Sequence, residues 1–393
     1  MGDWGGEAPL NSLYRLAHAL QKLLTRTADR LARETRLVMR QRKVTGSNFA
    51  QTLIFTWLAS PKATGSRRLS PNGENRSGLK TRGPKFPPAC GVVLIIFTFL
   101  HLYIEKVFSA DDDRIPDDIV VDYNLRYREG SVREWVLDLA MRKNYTGKPR
   151  PAIIVIHGGG WLEGDKSSFS TPRNRPPGNI IDFATLGFVA ASLNYRLSKE
   201  APFPAALHDC KCAVRWLRAN AEKYRIDPAL IGAWGNSAGG HLALMLGMVD
   251  KNANLEGDGP YQEYSSAVQA VVSDSGPIDL LYQYEHNQVK SAIGQFLGGA
   301  PSGARVAAYQ LASPINHISP QTPPLMLIYG GADTQVGVET ADRFVIALRE
   351  ADLKDVSYYR LGTVDHCPHS LVRVPWLVPA VNEFFLRTLR PHS

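Results

Sequence analysis

From about residue 117 onward, continuous apolar runs alternate with stretches that repeat their apolar residues every three or four positions. The runs PAIIVIH (151–157), FVAASLNY (188–195), LIGAWG (230–235), AVQAVVSDSG (267–276), PPLMLIYG (323–330) and VSYYRL (356–361) predict strands buried on both faces. The stretches ALHDCKCAVRWLRANAEKY (206–224), HLALMLGM (241–248), VETADRFVIALREA (338–351) and LVPAVNEFFLRTL (377–389) predict helices. Strands of this kind separated by helices describe an α/β architecture: a mostly parallel central sheet with helices on both faces, here over residues 111–393.

The chain upstream reads differently and predicts a non-core extension. Residues 1–60 are basic, with Leu, Ala and Val at helical spacing between Arg and Lys. Residues 61–88 are rich in Pro, Gly, Ser, Asn, Lys and Arg, a composition that cannot bury much and predicts a disordered linker. The stretch ACGVVLIIFTFLHLYI (89–104) follows Lys80, Arg82 and Lys85 and precedes a small residue at a plausible cut, V-F-S before Ala110, so residues 89–110 read as a signal-like segment. A membrane partner enters only if 89–104 is an uncleaved anchor, and sixteen residues is short of the roughly 20 a spanning helix uses. Its use would send the protein out of the cytoplasm, secreted or periplasmic; otherwise the expected location is cytoplasmic.

Charge sharpens this division. The net charge of +8 suggests a polyanion partner, but residues 1–90 hold 16 Lys and Arg against 5 Asp and Glu, and residues 91–393 hold 29 against 32. The larger part therefore carries no electrostatic footprint for nucleic acid. Cys90, Cys210, Cys212 and Cys367 form neither a zinc-ligand spacing nor a disulfide framework, so no metal is expected and at most one bridge.

The candidate chemistry centres on Gly235-Asn236-Ser237-Ala238-Gly239, a G-x-S-x-G pattern between a predicted strand and a predicted helix. A turn sharp enough to present the Ser237 hydroxyl crowds the positions two before and two after it, where glycine fits. The helix that follows aims its N-terminal N–H groups at the serine, which favours an oxyanion there. Upstream, His157-Gly158-Gly159-Gly160-Trp161 follows the strand PAIIVI directly, and its glycines let backbone N–H groups approach a substrate oxygen. A phosphate loop would require G-x-G-x-x-G or a following G-K-[ST], and neither is present.

Taken with SLNYRLSKEAPFPAALHDCKCAVRWLRANAEKYRIDPALIGAWGNSAGGHLALML, these motifs make residues 117–390 resemble an α/β-hydrolase of the H-G-G-G type. That group holds the hormone-sensitive-lipase-like carboxylesterases and the bacterial acetyl-xylan and feruloyl esterases. The resemblance implies ester hydrolysis without metal or cofactor, with Ser237 as nucleophile and Gly159, Gly160 and Ala238 as oxyanion donors. It implies the chain order Ser, Asp, His for the catalytic groups. Asp333, in the G-x-x-D position after the strand PPLMLIYG, is then the acid. The base lies in GTVDHCPHS, where His366 and His369 compete. Spacing from Asp333 favours His366, although the family usually shows Gly where Cys367 stands, and His369 remains the alternative base. His157 is expected to fix the glycine loop through a hydrogen bond, and Trp161 is the substrate-pocket candidate.

A second resemblance concerns residues 15–65, whose RLARETRLVMRQRKVTGSNFAQTLIFTWLASPKAT is similar to the N-terminal region of insertion-sequence transposases and carries no catalytic motif. For the larger part the expected reaction is hydrolysis of short acyl esters, acetyl or feruloyl groups on polysaccharide among them. Amide hydrolysis of the arylformamidase or exopeptidase kind, and a catalytically dead binding protein, are the alternatives. The pattern leaves oligomeric state open.

Overall fold

The computed structural model describes residues 114–130, 135–286 and 288–390. The segments 1–60, 61–88 and 89–110 of the sequence analysis lie outside them, and with them the transposase-like and signal-like readings.

Eight strands form one sheet: β1 (Ile119–Arg126), β2 (Val136–Arg142), β3 (Arg150–Ile156), β4 (Val189–Leu193), β5 (Ile226–Asn236), β6 (Ala270–Asp274), β7 (Leu325–Gly330) and β8 (Val356–Leu361). Their order is β1-β2-β4-β3-β5-β6-β7-β8. All pairs from β4 to β8 are parallel, while β2 runs antiparallel to both β1 and β4. Helices α1 (Ile180–Thr185), α2 (Ala205–Ala219), α3 (Ala221–Tyr224), α4 (Ala238–Met248), α5 (Leu280–His286), α6 (Lys290–Phe296), α7 (Arg305–Leu311), α8 (Val338–Glu350) and α9 (Leu377–Thr388) connect them. The chain from β1 to α9 has the α/β-hydrolase fold.

The unbroken apolar runs are explained by alternation between two cores. Along β3, Ala152, Ile154 and Ile156 enter one core while Ile153 and Val155 enter the other, all of them fully buried. β7 divides in the same way, with Leu325, Leu327 and Tyr329 on one side and Met326 and Ile328 on the other. A period of two is present, but both faces need apolar residues, so the text reads as continuous. The first core takes residues of α2, α4, α6 and α8; the second takes those of α1 and α9.

The antiparallel β1–β2 edge was not among the expected strands. In β2, VLDLAMR, the buried Asp138 interrupts the apolar run. That carboxylate is held by the Lys166 ammonium at 3.0 Å, the Ser170 hydroxyl at 2.6 Å and the Asn124 N–H at 2.8 Å. A charge so compensated can sit inside a sheet, though local pattern gives no sign of its partners.

The stretch Asn194-Tyr195-Arg196 after β4 ties the upper edge of the sheet together. The Tyr195 hydroxyl donates to the His157 carbonyl at 3.0 Å, and Asn194 accepts from the Lys166 N–H at 2.6 Å. The Arg196 guanidinium grips the fully buried Asp209 of α2, with Nη2 at 2.8 Å and Nε at 2.9 Å, and Trp135 Nε1 adds a third donor at 3.2 Å. Asp209→Ala removes the acceptor and leaves those donors inside. We expect a loss of about 3 kcal/mol, the low end for a broken buried pair because Arg196 still reaches solvent. A urea denaturation midpoint that stays at the parental value would contradict this.

Candidate active site

β5 ends at Asn236 and α4 begins at Ala238, so Ser237 alone makes the turn, with φ 50° and ψ −122°. Two contacts fix this bend. The Ser237 N–H donates to the Asp274 carbonyl at 2.8 Å, and the Ser237 carbonyl accepts from the His241 N–H at 3.0 Å. The flanking glycines are required by space: a Cβ on Gly235 would overlap the Gly239 carbonyl, and one on Gly239 would overlap the Ile156 and His157 carbonyls. Ser237 remains partly exposed while its neighbours from Ile231 to Asn236 and from Ala238 to Leu246 are buried.

The glycine loop lies against this bend. A Cβ built on Gly158 would stand 3.2 Å from Ser237 Cβ. Gly159 has φ +108° and is pressed so closely to the Glu163 carbonyl that no side chain fits. Gly160 has φ +61° and faces Ala292 of α6. His157 Nδ1 lies 2.8 Å from the Gly158 carbonyl, which only a protonated Nδ1 can reach as donor, and the ring stacks on Tyr195 at 4.5 Å. Burial pushes the His157 imidazole below its ordinary pKa, so the neutral ring props the loop.

Asp333 and His366 complete the arrangement. Asp333 follows β7 and is 7% exposed; its Oδ1 accepts from the N–H groups of Gln335 and Val336, each at 2.9 Å, which aims Oδ2 outward. His366 follows β8 and bridges the other two groups. Its Nδ1 is 2.6 Å from Asp333 Oδ2 and its Nε2 is 2.9 Å from Ser237 Oγ. A carboxylate can only accept, so Nδ1 carries the proton and Nε2 presents its lone pair to the hydroxyl. Three residues far apart in sequence thus meet because β5, β7 and β8 are parallel and end on one edge.

His369 lies elsewhere. It is 1% exposed, packs against Trp234 with ring centroids 5.7 Å apart, and has no partner for Nδ1. It is neither at the surface nor beside Ser237 in the hydrogen-bonded chain. Trp161 is 1% exposed and stacks on Phe296 of α6 at 4.3 Å, with His241 edge-on at 5.1 Å. Cys367 occupies the position after His366 with φ 54°, the left-handed region that favours glycine. Among the described residues Cys210, Cys212 and Cys367 are free thiols, all buried. Asp274, inside the expected strand 267–276 but not among the expected site residues, is fully buried at the end of β6.

Burial disfavours the charged form of several groups, with a consequence for stability. His369 is pushed down to about 3 and His241 to about 4, while Asp274 is pushed up to about 6, desolvation being the largest cause in each. Unfolded imidazoles take up protons below about 6.5, so the two histidines contribute stability present above that pH and lost as it falls. Asp274 acts oppositely, since the folded state keeps its proton between about 4 and 6 where the unfolded state has released it. Two protons taken up by the unfolded state outweigh one held by the folded state, so stability at pH 5 is expected to lie about 2 kcal/mol below that at pH 7. Chemical denaturation at the two pH values measures this; equal or greater stability at pH 5 would contradict it.

The BD-FAE family model matches residues 137–348, more than half of the chain and the whole span from β2 to the body of α8. The chain belongs to the BD-FAE family. Similar proteins include the probable carboxylic ester hydrolase LipM of Mycobacterium tuberculosis (strain ATCC 25618 / H37Rv), 30% identical over 218 residues that cover 55% of this chain and 49% of LipM. The chain thus spans about half the length of that relative. Among solved structures, a truncated form of a carbohydrate esterase from gut microbiota superposes with a TM-score of 0.60 at 26% identity, covering 71% of this chain and 98% of that one. The acetyl ester-xyloside bifunctional hydrolase from Caldicellulosiruptor lactoaceticus gives a TM-score of 0.53 at 27% identity, covering 64% of this chain and 88% of that one. The expected kinship with α/β-hydrolase carboxylesterases is borne out for the BD-FAE span.

Proposed function

We propose that the protein is a serine carboxylic ester hydrolase in which Ser237, His366 and Asp333 form the catalytic triad. The observation that carries this reading is the continuous hydrogen-bonded chain from Asp333 Oδ2 through the His366 ring to Ser237 Oγ, at 2.6 and 2.9 Å. A serine hydroxyl is too weakly acidic to attack an ester unaided. With His366 Nε2 as acceptor, the proton leaves as Oγ bonds to the acyl carbon, and Asp333 stabilises the imidazolium that forms. The negative oxygen of the tetrahedral intermediate is met by the N–H groups of Gly159, Gly160 and Ala238, the last at the first position of α4. Collapse expels the alcohol, which takes its proton from His366. A water then repeats the cycle and frees the acid. None of these steps calls for a metal or cofactor.

The substrates we propose are short acyl esters, with acetyl or feruloyl groups on polysaccharide as the natural class. Support comes from the carbohydrate-directed activities named for the two solved neighbours. Export through the 89–104 segment belongs to the same proposal, since polymer-borne esters are met outside the cell. The test is a series of p-nitrophenyl esters from acetate to octanoate, run beside acetylated xylo-oligosaccharides, feruloyl esters and matched anilides. Turnover concentrated on acetyl and other short esters is expected. Faster cleavage of anilides would replace the reading with amide hydrolysis, and no turnover of any ester would remove it.

A further inference from the structure

We propose that Asp274 is a positioning residue for the catalytic base: its carboxylate fastens the loop that carries His366 to the same strand end whose carbonyl fastens Ser237. The inference rests on the triad reading above. Asp274 Oδ1 accepts from the His369 N–H at 3.1 Å, and Oδ2 accepts from the Ser370 N–H at 2.9 Å and the Ser370 hydroxyl at 2.7 Å. Its main-chain carbonyl accepts from the Ser237 N–H at 2.8 Å, and the Cys367 thiol reaches the same oxygen at 3.4 Å. The next residue, Ser275, accepts the Cys367 N–H on its hydroxyl at 3.1 Å. Residues 274 and 275 thereby hold Ser237 at the end of β5 and Cys367, the residue after His366, in the segment that follows β8.

Both oxygens of Asp274 accept from the loop, which an amide side chain cannot match, so the carboxylate itself is what holds the loop. Asp274 is fully buried, and among the described residues no Lys or Arg pairs with it. A buried charge held only by N–H and O–H donors is costly, and burial raises its pKa to about 6. The groups that face it are His366, Cys367, His369 and Ser370 from the base loop and Tyr329 from β7. Of these, His366 is the one that gains positive charge in the reaction, and the ionised carboxylate favours that charge. Asp274 therefore sets where the imidazole stands.

The test is Asp274→Asn, which keeps the shape, removes the charge and turns donors toward the loop N–H groups. Active sites are first counted with a fluorophosphonate, so that kcat refers to folded, labelled protein. Per active site, kcat for p-nitrophenyl acetate is expected to fall about 100-fold with KM within a few-fold, the size of effect that a misplaced reacting group produces. A purely structural role would lower the count of active sites and leave per-site kcat unmoved; that result overturns the proposal. If the variant does not fold, Ser370→Ala decides: a severalfold lower per-site kcat supports the clamp, and a parental value overturns it. Failure of the triad reading would be seen separately, as an inert parent or an active Ser237→Ala.

Discussion

Replacing Ser237 by alanine is expected to lower kcat for p-nitrophenyl acetate by about a million-fold, the loss typical when the nucleophile of a serine triad is removed. The fold should survive. Alanine meets the same backbone cost as serine at φ 50°, and the two hydrogen bonds that fix the bend come from main-chain atoms. The residual rate would come from the N–H donors and substrate binding alone, which act without a nucleophile. Covalent labelling by a fluorophosphonate should vanish in parallel. Turnover above about one per cent of the parent would mean that another group attacks the ester, and the assignment of Ser237 would fall.

The second large effect separates two histidines three residues apart. His366→Ala removes the imidazole hydrogen-bonded to Ser237 Oγ, and kcat is expected to drop by about as much as in Ser237→Ala, since the two act as a unit in the proposed triad. His369→Ala should leave kcat per active site within a few-fold. Its cost lies in stability, about 2 kcal/mol for the space left against Trp234, partly offset at low pH because the buried imidazole there resists protonation. Measuring kcat on site-titrated protein and the urea midpoint for both variants tests the pair together. An inactive His369→Ala with an active His366→Ala would reverse the roles and break the hydrogen-bonded chain as a mechanism.

The strands that carry the site were readable because each is a compact apolar run bounded by helical text, and Ser237 was readable because steric demand leaves glycine at 235 and 239. Asp333 and His366 required knowledge of chain order, as nothing local distinguishes His366 from His369. Only the packing does, placing one ring against Ser237 and the other against Trp234. Trp161 illustrates the same limit: an aromatic after a glycine loop suggests a pocket wall, yet Phe296 and His241 enclose it almost completely. Asp138 hid β2, because a carboxylate inside an apolar run reads as a break until Lys166, 28 residues away, is brought beside it. Asp274 escaped notice for a related reason, its donors lying 95 and 96 residues downstream.

The position of each strand in the sheet bears on how activity would be lost on warming. β5, which delivers Ser237, is flanked by β3 and β6 in the sheet interior, whereas β8, which delivers His366, is one of the two edge strands among the described residues and only half-buried along most of its length. Border strands fray before central ones. The His366 imidazole should therefore depart while the Ser237 bend is still intact, so that on the proposed triad inactivation runs ahead of global melting and is reversed when the border strand docks again.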